Sequence, residues 1–266
     1  MNTEFENLKE LLISSEWPES VLDFQIVDEN SEQEKMDRAE GVIDILIQED
    51  LKDKKFLDFG CGEGHMAKYA STQCLLSVGY DIAEPKMNSF AWEKKENNFL
   101  LTKNYESVVK NGHYDVILIY DVIDHTATIN EQLAILRKAS ELLSADGKIY
   151  LRCHPWCSRH GGHLYRQINK AFVHLIFRKD EIKEMGYNIE EPMFNVVYPV
   201  LYYAKLIQDS GLKLKSEPEL ERQNVEDYFK NNQIISNRLK KSIPLANDEF
   251  PNFQMSICFI DYILHK

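Results

Sequence analysis

The sequence predicts an α/β protein in which a doubly wound, mainly parallel sheet carries helices on both faces. Apolar runs recur at residues 55–59, 75–80, 98–102, 114–120 and 148–153, and most are separated by short helical patterns. The run at 114–120 is continuous rather than alternating, as is typical of a central parallel strand. The first run ends in a glycine-rich turn that leads into a helix. Alternation of strands and helices with short connections is the pattern of a doubly wound sheet.

The glycine-rich turn follows the first predicted strand, Lys55 to Phe59. Gly60, Gly62 and Gly64 stand at every second position, and helix-forming residues follow them. Glycine permits positive φ and lets another molecule approach the backbone, and a helix N-terminus attracts anionic groups. The turn therefore predicts a ligand-binding loop. The alternative is a strand–helix turn that needs glycine only for steric reasons.

Composition narrows the possible partners and compartments. The chain has 266 residues, a net charge of −12 and five cysteines. The length suits one large domain, and the acidity disfavours nucleic acid as a partner. No apolar run approaches the roughly 20 residues of a membrane helix, and the N-terminus lacks the features of a signal peptide. We therefore expect a cytoplasmic protein with reduced cysteines and no membrane partner, whose oligomeric state the sequence leaves open.

Residues 58–64, D-F-G-C-G-E-G, resemble the first motif of the class I (Rossmann-like) S-adenosylmethionine-dependent methyltransferases. A dinucleotide-binding loop would read G-x-G-x-x-G, whereas Gly64 comes one residue earlier, which disfavours a nicotinamide dehydrogenase. The similarity is clear over residues 36–153 and continues by the order of elements. It implies a Rossmann-like, seven-stranded sheet whose antiparallel last strand lies between strands five and six.

The resemblance also implies which residues bind S-adenosylmethionine and its product, S-adenosylhomocysteine. The loop residues are Asp58, Gly60, Cys61, Gly62 and Gly64. Asp81 would hold the two ribose hydroxyls, because a carboxylate can accept from both. Ile82 would lie at the adenine edge, Asn104 would accept from the adenine amino group, and Tyr120 and Asp121 would close over the cofactor. Arg38 either reaches the methionine carboxylate or is a solvated helix charge.

The domain predicted over 1–266 has four parts. N-terminal helices (1–50) precede a cofactor-binding half (51–153), an insertion (154–195) that forms a lid or substrate wall, and the rest of the sheet (196–266). Ser31 and Glu34 form a predicted capping box. Further predicted elements are helices at 3–14, 85–93, 130–143, 196–209 and 225–241, and strands at 212–220 and 253–264.

Candidates for catalysis and substrate binding follow the fourth and fifth strands. Histidine is the natural base near neutral pH, and His125, His154 and His163 are the catalytic candidates. His125 could instead simply pack over the cofactor. Arg152, Arg159, His160, Tyr165 and Arg166 are the substrate-binding candidates, since clustered cations suit an anionic acceptor. An equally strong alternative pairs the arginines with surplus acids.

A metal site is not expected from the sequence. Cys153, Cys157, His160 and His163 crowd four potential ligands into eleven positions. Zinc sites favour two ligand pairs separated by a longer loop, and Cys153 lies inside a predicted strand.

The resemblance thus implies an enzyme that methylates an oxygen or nitrogen of a small polar or anionic metabolite. A precursor of a surface sugar or a secondary metabolite is one such acceptor. Two alternatives stay open, a methyltransferase acting on RNA, DNA or protein, and a non-catalytic S-adenosylmethionine-binding module. The Asn/Asp-Pro-Pro-aromatic motif of DNA amino-methylating enzymes is missing after the fourth strand, where residues 121–124 read D-V-I-D.

Overall fold

A computed structural model describes residues 3–14, 17–20, 31–84, 89–126, 128–189, 200–222, 233–242 and 257–266. In these residues eight strands form one sheet, in the order β3-β2-β1-β4-β5-β8-β6, with β7 also paired to β8. The strands are β1 (Lys55–Phe59), β2 (Leu76–Tyr80), β3 (Phe99–Thr102), β4 (Tyr114–Tyr120), β5 (Leu143–Cys153), β6 (Lys213–Leu214), β7 (Glu219–Arg222) and β8 (Ile257–His265).

Strands β1 to β5 are parallel, whereas β8 runs antiparallel to β5, β6 and β7. The predicted antiparallel last strand, placed between strands five and six, is confirmed. The chain order reverses at β1, which pairs with β2 on one side and β4 on the other. Open parallel sheets bind ligands outside the carboxyl ends of the strands at such a point.

The helices of the described residues are α1 (Thr3–Leu12), α2 (Glu32–Leu46), α3 (His65–Ala70), α4 (Tyr105–Asn111), α5 (Ile129–Leu142), α6 (Val173–Ile176), α7 (Lys179–Glu184), α8 (Val200–Ser210) and α9 (Gln233–Ser242). The predicted capping box at Ser31 and Glu34 starts α2, and Thr128 with Glu131 forms a second one at α5. None of the helices in these ranges has the length and apolar character to cross a membrane.

The central strand β4 explains why helices cover both faces of the sheet. Its successive side chains point to opposite faces. Ile117 and Ile119 join an apolar cluster with α5 and α8, whereas Val116 and Leu118 join another with the end of α2. Because both faces of β4 are buried, the continuous apolar run is what the fold requires.

The segment after β5 is anchored on both terminal regions of the chain. Phe177 packs against Trp17 and against Phe5 of α1, with ring centroids 6.0 and 6.3 Å apart. Arg238 of α9 makes two hydrogen bonds of 3.1 and 3.2 Å to Glu181 of α7 and one of 3.1 Å to Glu4. Apolar side chains of α1, Trp17, the insertion and α9 form one further cluster. This cluster holds the described part of the insertion, 154–189, in place.

Two predicted elements are wrong where the structure describes them. Residues 89–93 are not helical, because Trp92 bridges to Leu101 and the Glu93 N–H donates to the Leu101 carbonyl at 2.8 Å. The predicted strand 212–220 is divided into β6 and β7, so the sheet has eight strands among the described residues instead of the seven predicted. The break includes Pro218, which has no N–H to donate. The parts of the predictions at 85–88, 190–199, 225–232 and 253–256 lie outside the described residues.

Candidate active site

The glycine loop between β1 and α3 turns the chain tightly at the switch point of the sheet. Gly60, Gly62 and Gly64 have φ values of 90°, 52° and 89°. The N–H groups of Gly60 and Cys61 both donate to the Tyr80 carbonyl of β2, at 2.7 and 3.0 Å. The backbone conformation thus requires residues that adopt positive φ readily, as predicted.

The three glycines have different neighbours. A Cβ at Gly60 would lie 2.5 Å from Val122 Cγ2, and one at Gly64 would lie 2.6 Å from Leu101 Cδ2. A Cβ at Gly62 would meet nothing within 4 Å. Gly60 and Gly64 are therefore needed for packing inside the protein, while Gly62 leaves open space for a ligand.

Asp81 follows β2 and faces this loop. Its Oδ2 accepts a hydrogen bond of 2.9 Å from Gly62 N, although 19 positions separate the two residues. The neighbouring Ile82 side chain is 86% exposed. The half-buried carboxylate suits the hydroxyls of a sugar, and the exposed apolar side chain suits a flat ring attached to that sugar.

A cleft of about 340 Å³ opens beside the loop. Arg38 of α2 lines one wall, Asp58 and Gly62 form the floor at the end of β1, and Tyr120 and Asp121 come from the end of β4. Arg38 lies over the Tyr120 ring, with its guanidinium carbon 5.4 Å from the ring centroid. The structure thus brings predicted residues from three separate segments to one cleft.

Asp58 is almost fully buried beneath the cleft. Burial, together with the charge of Asp81, raises the pKa of its carboxyl to about 7, against a smaller effect of the Ala67 backbone N–H. Its Oδ2 has no hydrogen-bond partner among the described residues. Buried polar atoms normally have one, so this oxygen is an available acceptor for a ligand. Burial also raises the pKa of the nearby Cys61 thiol, which is therefore protonated.

Asn104 has a structural role in addition to the predicted one. Its side-chain oxygen accepts a hydrogen bond of 2.9 Å from Glu106 N and caps α4. Asn104 follows β3 at the same edge of the sheet as Asp81. Contact with adenine would use the oxygen's second lone pair, and it stays a prediction.

Tyr120 and Asp121 form the far wall of the cleft. Asp121 has a φ of 51°, which is uncommon for a residue other than glycine and often marks functional positions. Burial and the charge of Asp124 raise the pKa of Asp121 to about 7, although His154, Arg38 and Arg152 oppose the shift. Burial also raises the pKa of the Tyr120 hydroxyl.

Four of the predicted histidines converge behind Asp121. The ring centroid of His163 lies 4.4 Å from that of His125 and 4.7 Å from that of His154. The His160 ring lies 4.9 Å from His154. His125 is exposed, whereas the other three are at least 92% buried, with exposures of 3% for His154, 8% for His160 and 7% for His163. The cluster therefore extends from the surface into the interior.

Asp124 is the acid at the centre of this cluster and was missed as a site residue. It is fully buried, and its Oδ2 lies 2.5 Å from His154 Nδ1. Burial would raise the pKa of Asp124, but the charge and contact of His154 hold it below its ordinary value. The same pair raises the pKa of His154 against the effect of its burial. The acid directly before His125 in the sequence was the available signal.

The predicted substrate-binding residues divide into different environments. Arg152 makes a bidentate pair with Asp261 of β8, with two hydrogen bonds of 2.6 Å. Its guanidinium also lies over the Phe259 ring. Arg159 is half-buried, and its charge contributes to the depressed pKa of His160, after burial and His154. Tyr165 is half-buried in a short 3₁₀ turn, and the side chain of Arg166 lies outside the description.

A second charged network beside the cleft was not predicted. Lys35 is only 5% exposed, and its Nζ lies 2.7 Å from Glu63 of the glycine loop. His65 Nε2 lies 3.0 Å from Glu32 of α2. These pairs tie α2 to the loop and so position Arg38 over the cleft. Contacts between residues about 30 positions apart leave no pattern in the local sequence.

A family model described as a methyltransferase domain matches residues 33–215, which covers α2, the glycine loop, the cleft and the histidine cluster. The chain belongs to this methyltransferase family. This confirms the predicted enzyme class and the resemblance to the class I S-adenosylmethionine-dependent methyltransferases. The predicted cofactor of this methyltransferase, S-adenosylmethionine, is likewise confirmed. No curated protein matches the chain significantly.

Solved structures share the fold of this methyltransferase. An S-adenosylmethionine-dependent methyltransferase from Archaeoglobus fulgidus is 14% identical with a TM-score of 0.50, and the match covers 87% of this chain and 94% of that one. A second is the 1,6-didemethyltoxoflavin-N1-methyltransferase of Burkholderia thailandensis, solved with 1,6-didemethyltoxoflavin and S-adenosylhomocysteine. It is 13% identical with a TM-score of 0.50, over 92% of this chain and 82% of that one. At such identities the likeness concerns the fold.

Proposed function

We propose that this methyltransferase transfers the methyl group of S-adenosylmethionine to an oxygen or nitrogen of a small polar or anionic metabolite. The observation that carries the proposal is that Asp121 lines the cleft of the glycine loop and lies three positions before Asp124, whose carboxylate contacts His154 of the histidine cluster. The pKa of Asp121 responds to Asp124 and His154 on one side and to Arg38 on the other. One residue thus adjoins both the cofactor cleft and a group of potential bases.

The residues of the cleft fit the cofactor. Gly62 leaves open space beside the loop, and Asp58 Oδ2 is an unpartnered buried acceptor. Asp81 adjoins the cleft through its hydrogen bond with Gly62, and we assign Asp81 to the ribose hydroxyls and the exposed Ile82 to adenine. Lys35 and Arg38 both line the cleft, and we assign Arg38 to the methionine carboxylate because Lys35 is paired with Glu63. When bound, the sulfonium supplies an electrophilic methyl group, so the protein needs no covalent catalysis.

The protein must align the acceptor, exclude water and remove a proton if the acceptor is a hydroxyl. His154 is the best-placed base, because Asp124 holds its Nδ1 while its Nε2 is buried without a hydrogen-bond partner in the described residues. The raised pKa of His154 makes it a stronger proton acceptor than His160, whose pKa is depressed by burial. His163 and the exposed His125 continue the cluster toward the surface.

The burial of the cluster favours a small acceptor. His154, His160 and His163 belong to the 154–189 segment and are at most 8% exposed, so a polymer chain would need a protruding nucleotide or side chain to reach them. Methylation of RNA, DNA or protein is the alternative, and it requires such a protruding nucleotide or side chain. A non-catalytic binding module would have no need of buried, paired acid–base groups beside its cofactor cleft, and the Asp124–His154 pair argues against it.

Two experiments test the proposal. Thermal denaturation is measured with S-adenosylhomocysteine and, separately, with NADH. Ligand binding to the native state raises its stability, so we expect stabilisation by S-adenosylhomocysteine alone. The absence of such stabilisation at millimolar ligand would refute cofactor binding.

A screen of small hydroxylated, amino and phosphorylated metabolites with radiolabelled methyl donor then identifies the acceptor. Transfer only to RNA, DNA or protein would overturn the proposed substrate class.

A further inference from the structure

The histidine cluster contains a ligand set for a metal ion. One carboxylate oxygen of Asp124 and one ring nitrogen each of His154 and His163 lie within 4.8 Å of one another. The three residues come from the turn after β4, from the end of β5 and from the insertion, and all are buried. The cysteine–histidine spacing considered in the sequence does not include Asp124, so the structure defines a different set.

The polar atoms of this cluster are incompletely satisfied. Among the described residues, Asp124 Oδ1, His154 Nε2 and the nearby His160 Nδ1 are buried and have no hydrogen-bond partner. Leaving a buried polar atom unpaired costs about 1–3 kcal/mol, and more for a charged group. The half-buried Asp121 lies three positions before Asp124, and its Oδ1 is buried without a hydrogen-bond partner among the described residues. Two acids and several imidazoles around unsatisfied atoms are what a bound cation would stabilise.

We propose that Asp124, His154 and His163 bind a divalent transition-metal ion, for which Zn²⁺ is the best-matched probe. Two imidazoles and one carboxylate are a common zinc set in sites that keep an open position. Imidazole ligands disfavour Mg²⁺ and Ca²⁺, which prefer oxygen. With the ion bound, His154 would serve as a ligand and not as the base proposed above for the metal-free protein. The ion would then bind an anionic or hydroxyl oxygen of the acceptor and ease the loss of its proton.

The metal site does not depend on the proposed methyl transfer, and the two are tested separately. Purified protein is freed of metal with a chelator and titrated with Zn²⁺ by calorimetry. We expect one equivalent to bind with a micromolar or tighter dissociation constant. The melting temperature should rise by about 5 °C at 100-fold excess over that constant. Mg²⁺ at the same concentration should give no shift, and an equal response to both ions would contradict the imidazole ligands.

Variants assign the site. His163→Ala and Asp124→Asn should each weaken Zn²⁺ binding at least about 100-fold, since replacing a metal's outer hydrogen-bond partners already costs 10- to 100-fold. His113→Ala is the matched control, because this exposed histidine precedes β4 at the opposite end of the strand. It should bind as the unaltered protein does. All variants keep the five cysteines, which are free thiols.

Binding of S-adenosylhomocysteine shows that each variant is folded. Zn²⁺ that still binds with unchanged affinity to both His163→Ala and Asp124→Asn would overturn the site, because the ion would then be held elsewhere. Failure of the unaltered protein to bind Zn²⁺ while it binds S-adenosylhomocysteine would overturn it as well. Failure to bind S-adenosylhomocysteine with normal Zn²⁺ binding would instead count against the proposed function alone.

Discussion

Gly62 N donates a hydrogen bond of 2.9 Å to Asp81 Oδ2, which joins the glycine loop to the end of the neighbouring strand. The bond uses one lone pair of one carboxylate oxygen and leaves the other acceptor positions available. It also fixes the direction of the carboxylate beside the open space at Gly62. The loop and the proposed ribose acceptor therefore form one unit before any ligand binds.

Replacing Asp81 by alanine should weaken binding of S-adenosylhomocysteine by about 10- to 100-fold. Hydrogen bonds to a charged group contribute about 1.5–3 kcal/mol, and the variant loses those to the ribose. Isothermal titration calorimetry measures the change. Asp146→Ala, an exposed acid on β5, is the control and should bind normally. Unchanged affinity in Asp81→Ala would remove this residue from the cofactor site.

Substitutions of two glycines should separate folding from binding. Gly64→Ala places a Cβ 2.6 Å from Leu101 Cδ2 at a φ of 89° and should destabilise the protein by about 2–4 kcal/mol. Gly62→Ala meets no protein atom within 4 Å. It should cost only about 1–2 kcal/mol, from the left-handed backbone, but should weaken S-adenosylhomocysteine binding. Urea denaturation and calorimetry test both, and equal stability losses would contradict the assignment.

Asp58 should make stability fall as pH rises. Its pKa is about 7 in the folded protein against 3.8 for an ordinary aspartate. Between these values the folded state holds more protons than the unfolded state, so the free energy of unfolding decreases with rising pH. Asp58→Asn removes this dependence. The unfolding free energy of Asp58→Asn minus that of the unaltered protein should therefore increase from pH 4 to pH 7.5. The increase should reach up to about 4 kcal/mol, since each pKa unit corresponds to about 1.36 kcal/mol.

Urea denaturation of the ligand-free protein across this pH range measures the difference for Asp58. The exposed residue Asp146 provides the matched control, since Asp146→Asn should give a difference that is independent of pH. A pH-independent difference for Asp58→Asn would show that its carboxyl ionises normally.

In protein freed of metal with a chelator, His154→Gln should lower turnover of a hydroxyl acceptor found in the screen by about 10²- to 10⁴-fold, the usual contribution of a general base. Binding of S-adenosylhomocysteine should change less than about threefold, because His154 lies behind Asp121 rather than in the cleft lining. His113→Gln is the control for turnover. Full activity of His154→Gln would exclude this residue as the base and leave His163 and His125 as candidates.

Arg238→Ala should destabilise the protein by about 1–3 kcal/mol, because Glu181, which is 2% exposed, loses its two hydrogen bonds to Arg238 and keeps the more exposed Arg178 as a charged partner. Glu4→Gln removes the more exposed partner of the same arginine and should cost less than about 1 kcal/mol. Urea denaturation compares the two. Similar losses would mean that burial does not distinguish the two ion pairs.

Much of the fold follows from local sequence. The bounds of β1 and β4 are predicted to the residue, because apolar runs between polar or glycine-rich segments define buried strands. The capping box at Ser31 was equally legible. The helix predicted at 85–93 failed at Trp92, whose backbone pairing with Leu101 depends on a strand that comes later in the chain. Tertiary pairing overrides local helix signals.

The sequence by itself determined the glycine turn after β1, the acid at the end of β2 and the enzyme class, because these depend on spacing within single strand–loop–helix units. Only the tertiary structure decided how the remaining candidates combine. Asp124 meets His154 thirty positions later, and Arg152 is paired with Asp261, 109 positions away. Packing of β4, β5 and β8 into one sheet creates these contacts, and their energies come from burial and charge that no local pattern records.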